Sequence, residues 1–175
     1  MAIWCMNLKD RRGKPKQNCD EELKFRICRE KSMVAIGWGV PCVANTWEEY
    51  KKIADNLLSY DQGYRTARNN LEHIRKGDLV WVKNPATGER YIVEIEDSYP
   101  GIYSSLEEFD TCAYRRGKYY AVKADFLTGA LSAKHLRAGH TLERVHERTR
   151  SPTIEATKEL FANLNIKNSE EKLKI

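Results

Sequence analysis

The chain reads DLVWVKNPATGERYIVEIE over residues 78–96, and this stretch decides the fold. The residues on both sides of an NPATGE turn, which contains a proline and a glycine, have the pattern of β-strands. After the turn, Tyr91, Val93 and Ile95 share one face of an extended segment. Two such runs around a turn of this composition predict a β-hairpin. We therefore expect a sheet at the centre of the fold.

Further strands and helices are predicted on both sides of the hairpin. Thr46 and Glu49 have the spacing of a capping box, in which each side chain accepts a hydrogen bond from the other residue's backbone N–H. Gly77 is expected to end the preceding helix, because glycine enters the left-handed conformation without strain. Predicted strands cover residues 3–8, 33–38, 119–126 and, more weakly, 141–146; predicted helices follow Asp20, Thr46 and Gly63, and the last has Ser151 as N-cap and Pro152 as first residue. This irregular mixture predicts an α+β domain around a curved, mainly antiparallel sheet or open barrel.

The length of 175 residues, 41% of them apolar, predicts a single domain. We expect it to cover residues 1–164, with residues 165–175 as a polar tail or the start of a linker. No apolar stretch approaches the roughly 20 residues that cross a bilayer, and basic residues interrupt the first fifteen positions. The five cysteines have neither disulfide-framework nor metal-knuckle spacing. These features predict a soluble, cytoplasmic protein with reduced cysteines and no membrane partner.

The charged residues are unevenly distributed, although the net charge is only +5. Residues 9–16 contain five basic side chains and one acid, and residues 134–150 contain five basic side chains, three histidines and two acids. Residues 94–110, by contrast, contain six acids and no base. Because affinity for nucleic acid rises with each phosphate neutralised, one face of such a protein suits a phosphate backbone. The alternative is that these runs are solvated surface kept charged for solubility.

Catalytic motifs are weak in this sequence. Glu94, Glu96 and Asp97 provide a cluster of carboxylates of the kind that a metal-dependent nuclease requires, but no lysine follows at the useful spacing. The histidines have no zinc-binding spacing, and there is no nucleophile elbow or glycine-rich phosphate loop. We therefore expect no enzyme activity, no cofactor and no metal, and keep a nuclease using these three acids as an alternative.

Aromatic residues stand beside glycines and turns in two places. Trp38 lies between Gly37 and Gly39, and Tyr99 and Tyr103 flank a Pro-Gly pair. A tryptophan between glycines leaves its ring face uncrowded, which is what a planar ligand such as a nucleobase needs for stacking. A core position for Trp38 is an equally good interpretation of the sequence alone.

Several of these segments together resemble EVE domains. The resemblance is carried by the run Ala67-Arg68-Asn69, by Ile74, by the Lys76-Gly77-Asp78 turn and its strand LVWV, and by the segments IWCMNL and YIVEIED. The spacing of IGWG after the first helix is also similar to YTH domains and to base-recognition modules of methyl-directed restriction enzymes. All belong to the PUA-like superfamily, and the resemblance spans about residues 2–146.

The resemblance implies a PUA-like curved sheet with flanking helices and a pocket for one modified, often methylated, base flipped out of its strand. By position, Trp38 matches one wall of an aromatic cage and Asn7 matches a polar pocket residue. Leu8 departs from the family pattern, in which a small hydroxyl residue contributes to the polar floor of the pocket. A second wall is expected from Tyr99 or Tyr103.

The function expected from these features is non-catalytic recognition of a modified base in nucleic acid. DNA is favoured over RNA, in a restriction or defence context in which a nuclease or motor domain or subunit is the partner. A PUA-like RNA-binding module without modification preference is the alternative from the same class. The residues expected to contact the backbone are Lys9, Arg11, Arg12, Arg65 and Arg68, although Arg68 also has Glu72 at ion-pair spacing on its helix.

Overall fold

The computed structural model describes residues 1–8, 20–37, 40, 43–103, 111–138 and 141–172, with side chains to residue 166. Trp38, Lys9, Arg11 and Arg12 lie outside the described residues. The strands are β1 Ile3–Met6, β2 Met33–Ile36, β3 Leu79–Lys83, β4 Arg90–Ile95, β5 Gly101–Ile102, β6 Ala113–Val122 and β7 Leu142–Arg144. The α-helices are α1 Glu21–Glu30, α2 Trp47–Leu57, α3 Gln62–His73 and α4 Glu147–Lys172, and two 3₁₀ turns cover Ala124–Phe126 and Gly129–Leu131.

The strands form one curled, open half-barrel sheet in the order β2-β6-β4-β3-β1-β7, with β5 added beside β6. The predicted hairpin is confirmed, because β3 and β4 are antiparallel with Val80 opposite Val93. The β1–β3 pair is parallel and the other pairs are antiparallel. The α+β class and the mainly antiparallel, curved sheet are therefore confirmed. β1 lies inside the sheet, between β3 and the edge strand β7.

Both faces of the central strands are buried, which explains the unbroken apolar run LVWV. Val80 and Val82 face a core with side chains of α1, α2 and α3, among them Tyr50 and Leu71. On the opposite face, Trp81 packs in a second core that α4 covers. The Trp81 indole N–H donates to the Thr157 hydroxyl at 3.1 Å, so the ring is buried with its polar atom satisfied.

The predicted helix starts have physical caps. The Asp20 side chain accepts from the backbone N–H of Glu22, and the Thr46 hydroxyl accepts from that of Glu49 at 3.2 Å. The Glu49 carboxylate accepts from the backbone N–H of Asn45 at 2.9 Å, one residue earlier than a standard capping box. These side chains satisfy amides that the first helical turn leaves without partners.

Strand β6 differs from the prediction for residues 119–126. It begins six residues earlier, at Ala113, and ends at Val122, where a 3₁₀ turn replaces the strand. The polar run Arg115-Arg116-Gly117-Lys118 concealed its first half. Gly117 permits the close pairing with β4, since a Cβ there would lie 2.6 Å from the Val93 side chain.

Two helix ends also differ from the prediction. α4 begins at Glu147, and the chain leaves helical geometry once, at Arg150, so Pro152 lies in the first turn after this break. Proline is tolerated there because the first N–H groups of a helix lack intrahelical partners. α3 ends at His73, with Ile74 as its C-cap, and Gly77, with φ +83°, instead makes the turn into β3, where its N–H donates to the Ile95 carbonyl at 2.8 Å.

Asp78 locks this turn to the start of β1. Its buried carboxylate accepts from the Ala2 backbone N–H at 2.6 Å, the Trp4 indole N–H at 3.1 Å and the Arg75 backbone N–H at 3.1 Å. Three donors compensate the desolvation of the charge. The Lys-Gly-Asp turn of the sequence is therefore a structural device that sets β1 beside β3.

Cys5, Cys28 and Cys112 are buried thiols. Burial raises the pKa of the Cys5 and Cys28 thiols to about 12, so both stay protonated at neutral pH. In the described part of the chain, none of the helices combines the length and the apolar character needed to cross a bilayer.

Candidate functional site

The segments with Gly37, Tyr99 and Tyr103 lie at one end of the sheet. We call it the loop end: there β2, β4, β5 and β7 finish, and β1, β3 and β6 begin. Gly37 leaves the sheet at this end after β2, and Tyr99 lies in the connection that follows β4. Tyr103 follows β5, and Thr111 precedes β6. The connections that follow β2, β4 and β5 therefore lie on the same side of the half-barrel.

Gly37, which directly precedes Trp38 in the sequence, is held from the helical layer. The Tyr50 hydroxyl donates to the Gly37 carbonyl at 2.8 Å, and the Tyr50 ring stacks on Trp47 with centroids 5.8 Å apart. Val40 and Ala44 are buried in the same core. The segment is thus anchored before and after the position predicted to stack on a base.

Tyr103 is built into the sheet surface. Its backbone N–H donates to the Cys112 carbonyl at 2.8 Å, and its ring stacks on Tyr114 at 5.0 Å. The Lys31 ammonium lies 5.2 Å from the Tyr103 ring centroid. Tyr114 also covers Gly101, where a Cβ would lie 2.5 Å from the tyrosine ring. One face of Tyr103 is therefore already occupied by another aromatic ring.

Tyr99 has a different environment, since its side chain is 81% exposed. Its ring is available for stacking without displacing any described neighbour. Of the two tyrosines predicted as alternatives for the second wall, Tyr99 has the free ring and Tyr103 has the fixed one.

Thr111 is a residue that the sequence analysis missed. It is only 1% exposed, and its hydroxyl makes no hydrogen bond with the residues that the structure describes. Most buried hydroxyls are hydrogen-bonded, because an unpaired one loses its hydration without compensation. A threonine beside a cysteine at the start of a strand carries no sequence signal of this. Its hydroxyl is therefore a polar group at the loop end without a hydrogen-bond partner among the described residues.

A buried arginine fixes the base of the Tyr99 loop. Arg115 has no exposed surface; its Nε donates to the Asp97 carboxylate at 2.7 Å and its Nη2 to the Asp97 carbonyl at 2.8 Å. Its Nη1 donates to the carbonyls of Leu71 and Ile74 at the end of α3. This cluster, the Arg115 anchor, joins the last turn of α3 to the connection that carries Tyr99. Sequence reasoning missed it because RRGK looks like exposed surface.

Two of the three acids of the nuclease alternative have partners within the fold, and the third, Glu96, is exposed. Asp97 is bound to Arg115 and also accepts from the Arg116 backbone N–H at 2.7 Å. Glu94 accepts from the Tyr120 hydroxyl at 3.0 Å, and burial together with this bond raises the tyrosine pKa. Within the residues that the structure describes, no three His, Cys, Asp or Glu side chains are grouped to hold a metal ion.

Two of the residues predicted to contact the nucleic-acid backbone lie on α3. Arg65 is exposed, and its guanidinium donates to the Gln62 side chain at 3.2 Å. Arg68 is 16% exposed and pairs with Asp55 of α2 at 2.9 Å, while Glu72 pairs with Lys51 at 3.1 Å. Arg68 therefore joins α2 to α3 through Asp55, a partner that the sequence spacing did not indicate.

Asn7 lies away from the loop end, because it follows the finish of β1. Its backbone N–H donates to the Thr141 carbonyl at 2.8 Å and extends the pairing of β1 with β7. Along the sheet register, Met6 is level with Val82 and then with Tyr91 and Ala121. Asn7 and Gly37 thus come from different strand ends.

A basic hollow lies at the corner between β7 and α4, which we define as residues 144–149 and call the β7–α4 corner. It has a volume of about 470 Å³ and is lined by Arg144, His146, Arg148 and the first residues of the chain. This corner belongs to the loop end, where β7 finishes and β1 begins. The exposed Arg75 and Lys76 lie at the same end, before β3.

No family model, curated protein or solved structure matches this chain. The likeness to EVE and YTH domains thus depends on the residues quoted above. The structure gives several of them roles in the fold: Asp78 holds β1, Arg68 joins two helices, and Gly77 makes the turn into β3.

Proposed function

We propose that the loop end of the sheet binds nucleic acid and that the protein is a non-catalytic module that recognises a modified, methylated base turned out of its strand. The supporting observation is that an exposed aromatic loop, a buried hydroxyl without a described partner and several basic side chains all belong to connections at this end of the sheet. The proposed context is restriction or defence, with DNA as the polymer and a nuclease or motor domain or subunit as partner.

The aromatic part of the proposal combines Trp38 with Tyr99. Stacking of a base on an aromatic ring contributes about 1 to 3 kcal/mol, whereas extruding a base from a duplex costs a few kcal/mol. Two rings therefore roughly balance the extrusion of one base. The exposed face of Tyr99 and the anchoring of Gly37 by Tyr50 support this arrangement.

Net affinity then comes from contacts with the phosphate backbone. Arg75, Lys76, Arg144 and Arg148 are exposed at the loop end. In the described residues, none of them has a carboxylate at ion-pair distance. Cations without internal partners release counterions when they bind phosphates, and this release drives association. With them we propose Lys9, Arg11, Arg12 and Arg65; Arg68 contributes less, because Asp55 already neutralises it.

Selectivity for a modified base requires a hydrogen bond to the base as well as apolar contact with its methyl group. Burying one extra methyl group stabilises a complex by about 0.8 kcal/mol, a factor of about four. A hydrogen-bonding group in the pocket adds discrimination, since the wrong base leaves it unpaired. Thr111 is the residue that we propose for this role.

A binding screen tests the proposal. Oligonucleotides of one sequence that differ only in a single base, plain, N6-methylated adenine or methylated cytosine, are titrated as DNA and as RNA. We expect tighter binding of one modified DNA, and we expect Trp38→Ala to abolish the preference. Equal affinity for every modified and plain strand would refute modification reading, and a preference for RNA irrespective of modification would favour the RNA-binding alternative.

A further inference from the structure

We propose that the hollow at the β7–α4 corner is a phosphate-binding site, with Arg144 and Arg148 as its cationic ligands and the His146 imidazole as a further donor. The inference deepens the proposed function and rests on it for the nature of the ligand, a phosphate of a nucleic-acid strand. The sequence analysis counted these residues only as part of a basic run.

The corner has a fixed backbone. The Val145 N–H donates to the Ile3 carbonyl at 2.8 Å, which continues the β1–β7 pairing beyond the strand. The N–H groups of Thr149 and Arg150 donate to the His146 carbonyl at 3.2 Å and 2.9 Å and close the turn into α4. Because the backbone of this turn is already held at both ends, little backbone entropy is lost when its side chains bind a ligand.

The hollow is lined by both charged and apolar side chains. Ile3 and Ile154 are buried and line its inner part, while Arg144, His146 and Arg148 are exposed around it. A volume of about 470 Å³ falls within the usual range for small-ligand sites, about 300 to 1,000 Å³. An apolar floor with a cationic rim suits a phosphate group attached to a sugar or base.

The neighbouring charges leave these two arginines available. Arg150, the next arginine along the chain, already pairs with Glu143 at 3.4 Å and donates to the Arg137 carbonyl at 3.5 Å. Within the described ranges, no carboxylate lies at ion-pair distance from Arg144 or Arg148, although Glu147 also lines the hollow. Guanidinium groups bind phosphate oxygens through paired N–H donors. The corner thus contains two unneutralised cations and one acid.

The test compares Arg144→Gln/Arg148→Gln with Lys134→Gln/Arg137→Gln in the intact chain. Both double variants remove two exposed positive charges from the same basic run, but only the first pair lines the hollow. Each protein is titrated with a plain single-stranded DNA, with and without a 5′-phosphate, at several salt concentrations. We expect the first variant to bind about tenfold more weakly and its salt slope to fall by about 0.7 for each lost contact, with the control close to wild type.

A second readout uses small probes and separates the sources of the phosphate. Inorganic phosphate and a nucleoside monophosphate are added while the side-chain Nε–H signals of Arg144 and Arg148 are followed by NMR. Weaker binding of all strands by the first double variant identifies an internal phosphodiester as the ligand. Weaker binding of only the 5′-phosphorylated strands identifies a terminal phosphate. NMR shifts with the small probes, without any change in strand binding, identify a free nucleotide. Unchanged strand binding together with unshifted signals, or equal losses in both double variants, would overturn the site.

These results are independent of base reading. The modified-to-plain affinity ratio is measured on the same variants, and we expect Arg144→Gln/Arg148→Gln to leave it unchanged. If wild type shows no preference for modified bases but Arg144→Gln/Arg148→Gln weakens strand binding, the base-recognition proposal is refuted and the phosphate site is kept. If wild type shows the preference but the double variant binds strands as wild type does, the phosphate site is refuted and base recognition is kept.

Discussion

The Arg115 anchor and the β7–α4 corner use the same side chain in opposite ways. At the anchor, a guanidinium with no exposed surface spends its donors on Asp97 and on the last carbonyls of α3. At the corner, Arg144 and Arg148 are exposed and have no described acid at ion-pair distance. The difference teaches that internal satisfaction of the charge, and not the residue type, separates an arginine that builds the fold from one available to a ligand.

The largest effect is expected at the anchor itself. Arg115→Met keeps the volume but removes the charged partner of the Asp97 carboxylate, which keeps the Arg116 backbone N–H, and the donor to two helix carbonyls, so we expect the free energy of unfolding to fall by about 3 to 5 kcal/mol. Urea denaturation measures it. Arg116→Met, one position along β6 and exposed, is the matched control, with an expected change within about 0.5 kcal/mol. Equal effects of the two substitutions would break the contrast between satisfied and available arginines.

A smaller loss of stability is expected at Asp78. Asn keeps one acceptor oxygen but presents an NH₂ group to N–H donors, so Asp78→Asn should lower the free energy of unfolding by about 1 to 3 kcal/mol. Asp20→Asn is the control, because asparagine caps a helix as well as aspartate does. Urea denaturation of both variants decides, and a loss below about 0.5 kcal/mol for Asp78→Asn would show that the carboxylate does not hold β1.

The smallest effect concerns binding by an exposed ring. Tyr99 and Tyr60 are 81% and 99% exposed, but only Tyr99 lies at the loop end, since Tyr60 belongs to the turn between α2 and α3. Tyr99→Ala should weaken binding of the preferred oligonucleotide by about 1 kcal/mol, roughly fivefold, through lost stacking. Fluorescence anisotropy measures the affinity, and Tyr60→Ala should match wild type. Indistinguishable affinities of the two variants would remove Tyr99 from the proposed surface.

Much of the fold was predictable where local signals and burial agree. The β3–β4 hairpin combined a two-residue period with a turn that its glycine supports, and the caps at Asp20 and Thr46 depend on neighbours within three residues. The parallel insertion of β1 beside β3 was not predictable in this way. Its partner lies more than seventy residues away, and no short-range pattern specifies that pairing.

The candidate site was predictable only in part. The Pro-Gly pair between Tyr99 and Tyr103 pointed to both tyrosines as alternatives, and the structure distinguishes them, since Tyr99 is 81% exposed and Tyr103 stacks on Tyr114. Thr111 and Arg115 escaped notice, because their significance lies in which partners a buried polar group finds or lacks, and that depends on tertiary contacts. The role of Arg68 changed for the same reason, since Asp55 comes from another helix.

The order of the two cores along the chain has a consequence for biosynthesis. The three helices over one face of the sheet precede most of the strands, whereas the other face, with Ile3, Trp81 and Ile92, is covered by α4 near the end of the chain. A ribosome-bound chain that has already made the sheet still lacks this cover. The nascent protein then exposes a large apolar surface, which chaperones bind and which promotes aggregation.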